Sequence, residues 1–168
     1  MKEELLSSSH LYRGRIINVR EDRVRVHGGK ELFREVVEHP GAVAVLAVND
    51  KKEVIMVRQH RRPAGDVLLE IPAGKLEPGE MPQECAQREL LEETGFQSHK
   101  WDALLSFYPS PGFCDEIIHL FLAEELTAAH SPTSDPEEKI TIQPIPLEEA
   151  YKMIETGAII DGKTIIAL

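Results

Sequence analysis

Residues 42–48, Ala-Val-Ala-Val-Leu-Ala-Val, form an unbroken apolar run closed by Pro40-Gly41 on one side and Asn49-Asp50-Lys51-Lys52 on the other. A strand with one wet face alternates apolar and polar side chains, so this run predicts a strand covered on both faces. It is far short of the roughly 20 residues that cross a membrane as a helix. The chain must therefore build a sheet with a covering layer on each side, and its 168 residues suffice for one such core. A second apolar stretch, residues 54–57, follows the polar turn, and the two strands read as a central hairpin.

Upstream, short alternating segments at residues 15–19, 23–26 and 32–37, the last two separated by His27-Gly28-Gly29-Lys30, predict an N-terminal antiparallel strand unit. The chain thus divides into a strand unit over residues 1–40 and a main domain over residues 41–168. Downstream, residues 104–107, 117–123 and 140–143 read as strands, and residues 124–138 as a polar, proline-containing loop. Leu147, Ala150, Tyr151 and Ile154 recur at helical spacing and stop near Gly157. The expected class is α/β or α+β, a mixed sheet sandwiched between helices.

One more helix is strongly signalled. Pro82 suits a first helical turn, helix formers run to Thr94, and Gly95 stands at the stop position. Met81 occupies the cap without an oxygen to offer, although Glu84 favours the positive end of the helix dipole. Glu89, Glu92 and Glu93 lie at i, i+3 and i+4, which stacks three carboxylates on one face. A divalent cation would offset that repulsion, and hard carboxylate oxygens select Mg²⁺ or Mn²⁺ rather than Zn²⁺. A solvated acidic face carries the same three residues, so their spacing alone leaves both readings open.

Composition narrows the function classes. A formal net charge of −10 argues against a nucleic-acid platform, which draws on clustered Lys and Arg. It also repels a phosphorylated small molecule, which cations would have to bridge to the protein. The N-terminus lacks the apolar segment of a secretory signal, so a cytoplasmic protein with no membrane partner is expected. Cys85 and Cys114 are too few and too far apart for a disulfide framework or a zinc site and read as buried free thiols.

Gly74, five residues, Glu80, seven residues, and then Arg88-Glu89-Leu90-Leu91-Glu92-Glu93-Thr94-Gly95-Phe96 resemble a complete Nudix box. Seven fixed positions match, a chance of about 10⁻⁹ per starting position at average residue usage. Gly74 and Gly95 also suit a loop turn and a helix stop, where Gly is selected for its access to positive φ. The resemblance implies a Nudix fold and metal-dependent cleavage of a nucleoside diphosphate linked to another group. It makes Glu89 and Glu93 metal ligands, Glu92 a ligand or water-holder, and the Ala73 carbonyl a further ligand, with Glu80 and Arg88 fixing loop and ligands.

Arg34-Glu35-Val36-Val37-Glu38-His39-Pro40-Gly41-Ala42, Glu70-Ile71-Pro72-Ala73-Gly74 and Ser110-Pro111-Gly112 further resemble the ADP-ribose pyrophosphatase branch, over nearly the whole chain. That branch hydrolyses ADP-ribose to AMP and ribose 5-phosphate. The resemblance implies a general base at Glu138, with Glu137 as the alternative. It implies substrate contacts from Arg34, Arg61, Glu70, Gly112 and Glu116. It also implies a homodimer that exchanges its N-terminal strands, so that both subunits contribute to each pocket. His60 departs from the pattern, standing where the family commonly has Tyr or Phe.

Two rival functions remain. The same box serves pyrophosphatases of other nucleotide sugars, such as a GDP-sugar, and only pocket contacts discriminate between them. A non-catalytic sensor of ADP-ribose would need a DNA-binding domain or a basic surface, for which this acidic chain has neither the length nor the charge.

Overall fold

The computed structural model describes residues 2–129 and 140–168. The chain divides into two compact units, Met1–Gly41 with Tyr108–Ile117, and Ala42–Phe107 with Ile118–Leu168.

The first unit is a three-stranded antiparallel sheet of β1 (Glu4–Arg13), β2 (Asn18–Arg25) and β3 (Glu31–Glu38), in that order. Between β2 and β3 the chain turns where Gly28 and Gly29 take φ of 90° and 82°, a region closed to most side chains. The strand expected over residues 15–19 is instead largely a turn, closed by Gly14 N–H on Ile17 O at 2.9 Å. The true first strand lies earlier, in a stretch whose Ser7-Ser8-Ser9 core carries no hydrophobic alternation. Its strand state comes from pairing with β2. Val24 is the one buried apolar side chain among the described residues of this unit, while Leu5, Leu11, Tyr12 and Phe33 are exposed.

The second unit begins with β4 (Ala42–Ala47), β5 (Glu53–Arg61), β6 (Asp66–Glu70) and β7 (Ala73–Lys75). It continues through α1 (Pro82–Thr94), β8 (Phe96–Phe107), β9 (Ile118–Ala128), β10 (Thr141–Pro146), α2 (Leu147–Glu155) and α3 (Gly162–Ala167). Its strands form a mixed four-stranded sheet, ordered β7-β4-β9-β8, and a three-stranded sheet, ordered β10-β5-β6. The expected central hairpin is therefore corrected. The polar turn forms, but β4 and β5 belong to different sheets and pair only through the bridge Val48–Val54. β4 finds its long partner in β9, parallel from Ala42↔Ile118 to Ala47↔Ala123.

That pairing follows from the apolar run. Ala44 points into a cluster with Val54, Met56, Leu69, Ile71, Leu120, Ile145 and α2's Ala150. Val43, Val45 and Ala47 point the other way, against Ile55, Phe121 and the inner face of α1 at Cys85, Ala86 and Leu90. β5 divides its side chains between the same two clusters, so each strand is covered on both faces by its own neighbours.

α1 has the predicted ends. Gly95 takes φ 71° and its N–H closes on Leu91 O at 2.8 Å. At the other end Glu84 Oε2 accepts from Met81 N–H at 3.3 Å, which supplies half of a capping box. α3 has no counterpart in the sequence reading, because Gly162 inside it masks the signal of its capping residue, Asp161. Of the two cysteines, both free, Cys85 is buried and Cys114 only half-buried.

Leu90 is fully buried between α1 and the four-stranded sheet. Leu90→Ala is expected to cost about 2–5 kcal/mol, seen as a lower urea midpoint at unchanged slope. An unchanged midpoint would mean that α1 is not packed on this sheet.

Candidate active site

α1 turns two of its three stacked carboxylates toward β7. Glu93 is 7% exposed and Oε2 accepts from Ala73 N–H at 3.2 Å. Glu89 lies directly over Gly74, where a built Cβ would stand 1.9 Å from Glu89 Cδ and 2.0 Å from its Oε1. Gly74 has no positive φ, so close approach rather than a turn selects glycine here, which corrects the conformational expectation at this position. Glu92, on the same face, keeps a side chain 43% exposed.

Arg88 fixes this group. Its Nε and Nη2 hold Glu80 in a fork at 2.8 and 2.9 Å, and its Nη1 donates to Glu89 Oε1 at 2.7 Å and Glu92 Oε2 at 3.2 Å. Glu80 Oε2 also accepts from Glu77 N–H at 2.9 Å, which ties the loop before α1 to the same arginine. The Arg88 hydrogen bonds carry the Glu80 carboxyl down to about 2 despite some desolvation.

Glu89 and Glu93 are less well compensated. Burial, with the Glu89 charge beside it, pushes Glu93 up to about 8, against partial relief from Ala73 N–H, Arg61 and Lys163. Burial also raises Glu89, and its bond to Arg88 only partly offsets this. Two desolvated carboxylates short of positive charge, one seated in a cradle that a Cβ would fill, fit a hard divalent cation. Among the described residues no three His, Cys, Asp or Glu side chains already converge as a cage.

Beside Glu93 lies a second charged group. Arg61 Nε and Nη2 fork onto Glu70 Oε1 and Oε2 at 2.8 and 2.7 Å, and Lys163 Nζ donates to the same Glu70 Oε2. Glu70 is 1% exposed. Burial opposes its charge, but Arg61 and Lys163 together hold its pKa below the ordinary carboxylate value. Two expected substrate contacts are thus each other's partners, and Lys163 joins them unforeseen. His60, next in β5, is exposed.

Arg34, Gly112 and Glu116 belong to the first unit. There Arg34 Nη2 bonds Glu3 at 2.7 Å, Glu116 Oε1 stands 3.6 Å from His39 Nδ1, and Gly112 has open space on its Cβ side. Glu137 and Glu138 lie outside the described residues.

A model of the NUDIX domain matches residues 38–168, the span that carries α1 and both sheets. The chain belongs to the Nudix family. Residues 3–37 of this Nudix protein match a nucleoside diphosphate sugar hydrolase N-terminal domain. It is 43% identical to an ADP-ribose pyrophosphatase of Bacillus subtilis, across 100% of this chain and 91% of the relative. It is 40% identical to a methanol dehydrogenase activator of Bacillus methanolicus, across 99% and 91%. A GDP-mannose pyrophosphatase of Cronobacter sakazakii is 32% identical, across 100% and 91%. A solved ADP compounds hydrolase superposes with a TM-score of 0.86 over 99% of this chain and 90% of that one, at 22% identity, and shares the fold.

The raised Glu93 pKa has a consequence for the metal-free Nudix protein. With a folded value of about 8 above the ordinary 4.5, protonation favours the folded state. This stability is complete below about 4.5 and is lost as pH rises through about 8. Without metal, wild type should lose stability relative to Glu93→Gln between pH 5 and 8, by at most about 1.4 kcal/mol per pH unit. Parallel denaturation curves for the two proteins across that range would contradict the placement of Glu93.

Proposed function

We propose that this Nudix protein hydrolyses the pyrophosphate of ADP-ribose to AMP and ribose 5-phosphate. The observation that carries the reading is the pair of desolvated carboxylates, Glu89 and Glu93, set over Gly74 beside the Arg61–Glu70 fork. The relatives named ADP-ribose pyrophosphatase support the choice of substrate, and those named GDP-mannose pyrophosphatase mark the nearest alternative.

In this reading Glu89, Glu93, the Ala73 carbonyl and the more exposed Glu92 hold the cation, Mg²⁺ or Mn²⁺. When bound, it supplies positive charge beside the diphosphate and acidifies water. Arg88 keeps Glu89 and Glu92 aimed while Glu80 holds Arg88. Glu70 takes Nε and Nη2 of Arg61, which leaves Nη1 for a phosphate oxygen. Water attacks one phosphorus, the bridging P–O bond breaks, and a carboxylate takes the proton of the water. Glu138 is assigned that role, with Glu137 beside it as the alternative.

Arg34, Gly112 and Glu116 are assigned to the adenosine and terminal ribose. Residues 1–40 are proposed to exchange between two copies in a homodimer, so that each pocket draws on both. A three-stranded sheet with one buried apolar side chain and exposed Leu5, Leu11, Tyr12 and Phe33 supports this, since so small a core does not stand alone. The cytoplasm is the proposed location, and the free Cys85 and Cys114 are in keeping with it. Among the described residues no helix is long and apolar enough to cross a membrane.

With Mg²⁺, wild type should release AMP from ADP-ribose faster than it cleaves GDP-mannose. Glu93→Gln should lose more than about 100-fold in kcat/KM, and Glu138→Gln about 10²–10⁴-fold. Preference for GDP-mannose would move the protein to the alternative substrate class, and binding of ADP-ribose without turnover would make it a sensor.

A further inference from the structure

We infer that Lys163, on α3, is a positioning residue of the substrate site, sharing the charge of Glu70 so that Arg61 remains oriented and available for the diphosphate. The inference rests on the reading of Arg61 as a diphosphate contact and adds the C-terminal helix to that site.

Lys163 is held on both sides. Its side chain is 12% exposed, and Nζ donates to Glu70 Oε2 and, at 3.0 Å, to Asp161 Oδ2. Asp161 caps α3 at the same time, accepting from Thr164 N–H at 3.1 Å and Thr164 Oγ1 at 2.6 Å. Thr164 Oγ1 in turn accepts from Ile71 N–H at 3.0 Å, and Thr164 is fully buried. α3 is thus fastened to the segment between β6 and β7, the one that carries Glu70 at one end and Ala73, the partner of Glu93, at the other.

Charge explains the need for a second cation. Arg61, Glu70, Lys163 and Asp161 form an alternating chain of two cations and two carboxylates, with no net charge. Without Lys163 the chain carries one net negative charge close to Glu93, and the buried Glu70 depends on Arg61 alone. The attraction of a desolvated carboxylate for its sole guanidinium then competes with an incoming phosphate for the same group. A lysine that only neutralised Glu70 for stability would leave substrate affinity untouched, and this separates the two roles.

The test is steady-state hydrolysis of ADP-ribose with Mg²⁺ by wild type, Lys163→Met, Lys163→Arg, Arg61→Met and the Lys163→Met/Arg61→Met double variant, with a thermal melt of each. Lys163→Gln replaces Lys163→Met if the latter does not fold. Lys163→Met should raise KM about tenfold and change kcat less than about twofold, with Lys163→Arg restoring most of the loss. In the Arg61→Met background the same change should raise KM by less than about twofold, because its route has been removed. An unchanged KM in Lys163→Met, or an effect that persists undiminished without Arg61, overturns the inference. If Arg61→Met raises KM while Lys163→Met does not, only the inference fails; if Arg61→Met leaves KM unchanged, the reading of Arg61 fails with it.

Discussion

A carboxylate taken out of water keeps its charge only if something positive replaces the lost hydration, and α1 brings two of them, Glu89 and Glu93, against β7 with too little protein charge to do so. Much of the surrounding structure can be traced to that shortage. Gly74 has no side chain because Glu89 needs the space. Arg88 is clamped by Glu80 and presents only one nitrogen to Glu89 and Glu92. Arg61 and Lys163 relieve Glu93 only at a distance, since Glu70 occupies them first. In the proposed function, that deficit makes the site receptive to a hard cation and, through it, to a diphosphate that an acidic protein would otherwise repel.

Holding such a site requires a stiff frame. β4 supplies it, buried on both faces between the α1 cluster and the α2 cluster. It is hydrogen-bonded along one edge to β7, from Ala42↔Lys75 to Ala44↔Ala73. The register of β7 on β4 sets where Ala73 and Gly74 stand, and the packing of Cys85, Ala86 and Leu90 on Val43 and Val45 sets which face of α1 meets them. Position of the carboxylates is therefore a packing result before it is an electrostatic one.

What could be read from the sequence was what is encoded locally. α1 announced itself because Pro82 and Gly95 mark its ends, and the spacing of Glu89, Glu92 and Glu93 follows from helix geometry alone. The covered strand at β4 was equally plain, since no one-faced strand is apolar at every position. Its pairing was not, because the partner strand β9 lies 76 positions further along the chain. β1 was hidden by its serines, which carry no periodic signal. Lys163 escaped notice because its meaning depends on Glu70, 93 residues away, and nothing in Asp161-Gly162-Lys163-Thr164 alone points to that carboxylate. Gly74 is marked by its place in the Nudix box, but positive φ is not what selects it: the neighbour that demands glycine there, Glu89, is visible only in three dimensions.

Whether a cation takes over the charge deficit around Glu93 can be measured by calorimetric titration of Mg²⁺ or Mn²⁺ at pH 7 in two buffers of different ionisation enthalpy. A carboxyl whose folded pKa is about 8 is mostly protonated at that pH and must release its proton when a metal binds. Binding should then show a buffer-dependent heat equivalent to somewhat under one proton per protein, absent in Glu93→Gln. Metal binding with the same heat in both buffers, or with equal affinity in the variant, would contradict it.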